Sequence, residues 1–172
     1  EGKPSFRLEH LTAANGIAHE GAHDALADVL ATIELARLLK RAQPRLFDYM
    51  LGLRNKHAVR SMLDLRAKTP LLHSSAMFPA ERFCTSLVMP LLQHPENKNG
   101  VICYDLRIDP TPLLELSAEA IRQRLYTPTA QLAAGEQRIA LKTVHINRSP
   151  VLVTAKMLNA STQQRLQIDS DM

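Results

Sequence analysis

The 172-residue sequence has only two cysteines, Cys84 and Cys103, no tryptophan, four phenylalanines and three tyrosines. Two cysteines, with no second pair and no Cys-x-x-Cys spacing, exclude a disulfide framework and a cysteine zinc site; both read as reduced thiols of a cytoplasmic protein. No apolar run approaches the roughly 18 residues of a membrane span, and no signal-peptide pattern is present. The chain is therefore not expected to cross a membrane by its own sequence. Scarce aromatics leave little for stacking bases. Phe47, Tyr49, Phe78 and Phe83 are the candidates, and core packing is the expected fate of the phenylalanines. Internal repeats and low-complexity tracts are absent as well.

At 45% hydrophobic residues the chain can bury one good core or two small ones. The charge is unevenly spread. Residues 1–43 hold five Lys or Arg against six Asp or Glu, whereas residues 44–172 hold 16 against 11. Between residues 44 and 75, Arg45, Arg54, Lys56, Arg60, Arg66 and Lys68 face only Asp48 and Asp64. A cationic surface of this kind suits a polyanion such as nucleic acid; a solvated basic face without a partner is the competing reading.

The organisation changes near residue 43. A short helix over residues 8–14 is closed by Asn15-Gly16, and Leu26, Val29, Leu30, Ile33 and Leu38 then recur at helical spacing toward Lys40-Arg41, where two cations suit a helix C-terminus. Pro44 stops that helix, so the boundary is placed between residues 1–43 and 44–172. A second helix is expected over residues 46–63. From Pro70 the character becomes β: "TPLLHSSAM", "CTSLVMPLL", "GVICYDL", "IALKTVHI" and "SPVLVTAK" are short runs bounded by Pro, Gly or Asn, as in a small barrel or curled sheet. One helix interrupts them, Ala118–Tyr126, capped by Ser117, with Glu115 and Glu119 near its positive end.

Chemistry concentrates in "GIAHEGAHDALADV". Two His-x4-Asp pairs overlap there, His19 with Asp24 and His23 with Asp28, and the second has small residues around it. Asp28 sits beside the apolar stripe of the long helix, where a carboxylate must be solvated, paired or bound to a metal. Five residues of helix turn about 140°, so the pair converges only if His23 lies outside the helix and Asp28 within it. An Asp holding a cation beside a His that takes a proton from water suits hydrolysis. In the competing reading, His23 and Asp24 cap the helix and Asp28 pairs with a surface Arg.

"PSFRLEHLTAANGIAHEGAHDALADVLATI", "QPRLFDY", "RNKH", "HPENKN", "PLLELS", "RLYT" and "VHIN" with "PVL" resemble the exonuclease I family, bacterial enzymes of the DEDDh group that degrade single-stranded DNA from its 3′ end. The resemblance runs from about Gly2 to the C-terminus. It implies an α+β chain: the C-terminal helices of a ribonuclease H-like nuclease domain, then an SH3-like β-barrel with inserted helices, incomplete at its C-terminus. It makes His23 the general base and Asp28 a ligand of one of two divalent cations, normally Mg²⁺. The family's Asp-x-Glu motif and a further Asp lie upstream of Gly2 in that pattern, and no Asp-x-Glu occurs in these residues. The start at Glu1 fits an internal fragment, and the fragment alone is expected to be inactive. The long helix is then expected to lack the sheet it packs on.

The resemblance also implies partners. Arg7 matches a substrate-contacting Arg; a helix-capping ion pair is its other reading. Lys56, Lys98, Asn99, His145, Asn147 and Arg148, on polar loops, are expected to hold the backbone of single-stranded DNA, with weak sequence preference and strong salt dependence. Tyr49 matches a residue of the pocket that takes the acidic C-terminal tail of single-stranded-DNA-binding protein, with Arg45 and Lys68 as its cations. The family pattern leads one to expect a Lys at Thr69, so the charge is displaced by one position. Tyr49 as ordinary packing between domains is the alternative there, and a non-catalytic module for DNA or protein docking is the alternative for the whole. The intact enzyme is expected to be a monomer.

Overall fold

The computed structural model describes residues 4–21 and 24–168. Its first part is helical. Helix α1 (Leu8–Ala14) closes at Asn15, and Gly16 follows at φ +64°, the left-handed turn that Asn-Gly favours. Helix α2 (Ala25–Ala42) begins at Asp24, whose carboxylate accepts from the backbone N–H groups of Leu26 and Ala27 at 3.1 Å each. That satisfies two of the donors a helix start leaves unpaired. Lys40 and Arg41 lie in its last turn. Pro44 does not open a loop. It takes the first position of α3 (Pro44–Gly52), where its missing N–H costs nothing, so the chain turns within one residue.

The single helix expected over residues 46–63 is two. After α3 the chain breaks at residues 53–55, and Asn55 caps α4 (Lys56–Met62) by accepting from the N–H of His57 at 2.9 Å. Gly52 and Asn55 supply the break and the cap. The apolar period runs across the break because Met50, Leu53, Val59 and Leu63 all meet the same core.

All five β runs become strands: β1 (Leu71–Ser74), β2 (Thr85–Gln93), β3 (Gly100–Asp105), β4 (Leu141–His145) and β5 (Val151–Thr154). They form one antiparallel sheet in the order β4-β3-β2-β1-β5. The expected β-barrel is therefore corrected to an open sheet. Edges β4 and β5 are consecutive in sequence, yet no ladder joins them. Ser149 adopts φ +45° and Pro150 has no N–H to donate, so the link turns away from a tight hairpin and β5 pairs with β1 instead. Pro90 is tolerated in the long strand β2 for a similar reason. Pairing with β1 ends at Leu71 opposite Val88, and a bulge relieves the other side between Pro90 and Leu92.

The core lies between α3–α4 and the sheet: Leu53, Val59, Leu63, Leu71, Val88, Val101, Cys103, Val144, Ile146 and Leu152. Cys103 is fully buried there, and burial pushes its thiol up to about 12, so it is inert; Cys84 is half-buried, and neither is paired. Two helices separate β3 from β4 rather than one. Helix α6 (Ala118–Tyr126) has the expected bounds, with the Ser117 hydroxyl accepting from Ala120 N–H at 3.3 Å, and a short α5 (Thr111–Glu115) precedes it. A last helix, α7 (Ala160–Leu166), was not expected; it packs Leu166 against Leu72 and Ile168 in a small second cluster. No described helix is long and apolar enough to cross a membrane.

Candidate functional site

Asp28 lies in the first turn of α2 with its carboxylate half-exposed. His19 reaches it from the preceding loop: Nε2 lies 2.7 Å from Asp28 Oδ1, and the other ring nitrogen lies 3.4 Å from the hydroxyl of buried Thr12. Thr12 in turn bonds the carbonyls of Leu8 and Glu9 in α1. Among the described residues, Asp28 is thus held by a histidine nine residues upstream. Asp24 caps the helix, as the competing reading held. His23, the candidate base, lies outside the described residues.

A divalent cation needs hard oxygen donors, and Asp28 offers one, held in place by a rigid helix turn and by His19. It fits as a single ligand. No group of three or more His, Cys, Asp or Glu able to hold a metal occurs among the described residues. Arg7 precedes α1, and its exposed guanidinium lies 3.8 Å from Glu9, the ion pair of its other reading.

Four of the six residues expected to hold a strand, Lys56, Lys98, Asn99 and His145, come together at one end of the sheet. Lys56 opens α4. Its neighbours across a shallow depression are Lys98 and Asn99 of the β2–β3 loop, with Arg60 between. The guanidinium of Arg60 donates to Lys98 O at 2.8 Å and to Gln93 Oε1 at 3.2 Å, which fixes the loop that carries Lys98. His94 staples the same loop by accepting from the N–H groups of Glu96 and Asn97. The β4–β5 turn is tied on through Ile146 N–H to Asn99 O at 2.9 Å, and the His145 ring contacts the Asn97 amide. Asn147 and Arg148 are exposed on that turn. Burial first, then the charges of Arg148, His94 and Lys142, pull His145 below the ordinary imidazole pKa. Gly100 permits the packing: a Cβ there would stand 2.9 Å from Thr143 Cγ2 and 3.1 Å from His94 Cβ. The result is a cationic, backbone-rich platform suited to phosphates.

Residues 54–172 match the exonuclease I SH3-like domain family. The chain belongs to the exonuclease I family. It is 52% identical over 169 residues to exodeoxyribonuclease I of Escherichia coli K12, covering 98% of this chain and 35% of that one. The Haemophilus influenzae enzyme is 46% identical over 173 residues, covering 100% and 37%. The crystal structure of E. coli exonuclease I with a dA16 oligonucleotide superposes with a TM-score of 0.94 at 51% identity, over 99% of this chain and 36% of that one. The moderately thermophilic exonuclease I of Methylocaldum szegediense gives 0.93 at 50%, with the same two coverages. The chain spans about a third of the length of the curated relatives it matches.

Of the three residues expected to dock an acidic tail, two are brought together. Arg45 and Tyr49 are four apart on α3 and share a face. The Tyr49 hydroxyl donates to Leu152 O of β5 at 2.8 Å, and burial pushes its pKa above the ordinary tyrosine value. That bond ties α3 to the sheet edge within residues 44–172, whereas the other reading placed Tyr49 between two domains. Lys68 sits in a turn at φ +49° with its N–H on Asp64 O, and no hydrogen bond or ion pair among the described residues links it to Tyr49 or Arg45.

Two residues of these sites, His19 and Arg60, and the nearby Lys142 escaped sequence reasoning. His19 was seen only as the first of two overlapping pairs, because spacing along a loop does not report what the loop folds onto. Arg60 was visible as a charge four residues after Lys56, one helical turn on the same face. Lys142 carried a clearer signal: it alternates with Val144 and Ile146 on the apolar side of its strand, where a lysine is out of place.

Proposed function

We propose that this chain is part of a 3′-to-5′ exonuclease that degrades single-stranded DNA in repair and recombination, acting in the cytoplasm as a monomer and releasing nucleoside 5′-monophosphates. The observation that carries the strand-binding half is the gathering of Lys56, Lys98 and Asn99 around one depression, tied by Arg60 and Ile146, with His145 attached through Asn97. Membership of the exonuclease I family supports the hydrolytic half, and E. coli exonuclease I has been crystallised with single-stranded DNA and zinc. Residues 1–43 would complete the nuclease domain and residues 44–172 would form the SH3-like domain.

In this reading Asp28 is one ligand of a divalent cation, Mg²⁺ by family resemblance. A cation held there would supply positive charge against the phosphodiester and Lewis acidity toward the attacking water. His19 orients the Asp28 carboxylate, and His23 takes the proton of the attacking water. Arg7 holds a phosphate near the helix start, and the platform residues grip the phosphates farther along. One carboxylate cannot hold two cations, so the 172 residues alone bind a strand without cutting it. Tyr49 and Arg45, with Lys68, receive the acidic tail of single-stranded-DNA-binding protein.

Two measurements test this. In a polypeptide that supplies the relatives' remaining two-thirds, Asp28→Asn abolishes degradation of a 3′-ended single strand while leaving strand binding within about twofold, since one exposed charge is removed. For the 172-residue chain, affinity for oligothymidylate falls steeply between 50 and 200 mM salt, as phosphate contacts require. A salt-independent affinity, or nuclease activity that survives Asp28→Asn, overturns the proposal.

A further inference from the structure

The open sheet leaves a cleft of about 740 Å³ between its two edges, walled by β1, β4 and β5. That is within the usual range of small-ligand sites, roughly 300–1,000 Å³. Lys142 lines it from the core side of β4, the face it shares with buried Val144. Its ammonium donates to the Ser75 hydroxyl at 3.0 Å and lies 5.0 Å from the centroid of the Phe78 ring. No carboxylate pairs with it among the described residues. Asp105 is the one acid lining the cleft, and its Oδ1 is already taken by the Ser86 hydroxyl and the Arg107 N–H. Arg138 and Arg148 add positive charge at the rim, and Met77, largely exposed, adds an apolar lip beside Phe78. Burial pulls Lys142 below the ordinary lysine pKa, as expected of a cation withdrawn from water without a counter-charge.

A half-buried ammonium, a hydroxyl and two guanidinium groups around a space of this size lack only an anion, and the apolar lip suits a base or sugar attached to it. We propose that this cleft is a nucleotide site in which Lys142 and Ser75 hold a phosphate group and Met77 and Phe78 contact the nucleoside. The anion site stands on the cleft's geometry; the choice of a nucleotide over another phosphate rests on the nucleic-acid reading above. The phosphate can belong to a free mononucleotide or to one unit of a bound strand.

Calorimetric titration of the 172-residue chain with inorganic phosphate, thymidine, thymidine 5′-monophosphate and oligothymidylate separates these sources. The monophosphate binds at least about tenfold tighter than thymidine, and Lys142→Met removes that advantage, because a charge-assisted bond to phosphate is among the stronger hydrogen bonds. Ser75→Ala removes a hydroxyl without changing charge or bulk appreciably; it weakens the monophosphate about threefold, and a thermal melt verifies that both variants are folded. If Lys142→Met weakens oligothymidylate but the free monophosphate does not bind, the source is a strand phosphate and the site stands. The proposal is overturned if thymidine binds as well as its monophosphate and Lys142→Met leaves oligothymidylate unaffected, or if Lys142→Met leaves the binding of every phosphate ligand unchanged. Salt-independent oligothymidylate binding refutes the strand-binding reading and leaves the monophosphate result to decide the cleft.

Discussion

Helix α2 and the sheet are built from the same kinds of apolar residue and end up in opposite conditions. On α2 only Ala31 is buried, while Leu26 is 67% exposed, Val29 54% and Leu30 55%. Under the sheet, Val59, Val88, Cys103 and Leu152 are wholly excluded from water. Helix hydrogen bonds are local, so the backbone of α2 is satisfied by its own residues with Asp24 as cap even where its stripe is uncovered. A sheet has no such independence: each strand's N–H and C=O groups are satisfied only by neighbours, and those neighbours bring the core together. The described residues therefore contain one self-sufficient hydrophobic unit and one helix that is regular without being buried.

The largest expected effect comes from emptying the sheet core. Leu152→Ala should cost about 3 kcal/mol, against less than about 0.5 kcal/mol for Leu30→Ala on α2, both read by urea unfolding. Equal losses at the two sites would mean that the α2 stripe is covered in solution. Next, Gly100→Ala should cost about 1–3 kcal/mol, because its Cβ must displace Thr143 and His94, and it should weaken oligothymidylate binding through the loop that carries Lys98 and Asn99. Asp24→Ala should cost about 1 kcal/mol through the lost cap and speed amide exchange in the first turn of α2 while leaving the sheet unchanged. The smallest effect is a pH dependence. Burial holds His73 below its ordinary pKa of 6.5, with its Nδ1 2.9 Å from Val151 O. The unfolded chain then binds the proton more readily than the folded one. The stability from neutral His73 is complete above about 6.5 and is lost as pH falls through the folded value. Denaturation midpoints of His73→Gln should fall less than those of the parent over that window.

Much of the fold was legible because it is set by neighbours in sequence. The Pro, Gly and Asn punctuation located all five strands, and Ser117 and Asn15-Gly16 marked their helix ends. The break at residues 53–55 was missed because the apolar period continues through it, and α7 because a helix of seven residues, mostly polar, offers no stripe to read. Barrel closure was misjudged because alternation shows which face is buried but not whether two edge strands meet. The site was legible in kind but not in wiring. Lys56, Lys98 and Asn99 were readable as polar loop residues, whereas Arg60, which locks them together, and His19, which grips Asp28, act across 38 and nine residues of chain.

Composition and spacing by themselves determined the basic second part, the order of the five strands, the helices α1, α2 and α6, and the presence of a carboxylate at position 28 within the long helix. These follow from side-chain type and from hydrogen bonds between near neighbours. Only the tertiary structure decided that the sheet stays open, that Lys142 faces the resulting cleft with no ion-pair partner among the described residues, and that His19 pairs with Asp28. Each of those depends on where distant segments come to rest, and solvation, pairing and accessibility are properties of that arrangement rather than of any stretch of sequence.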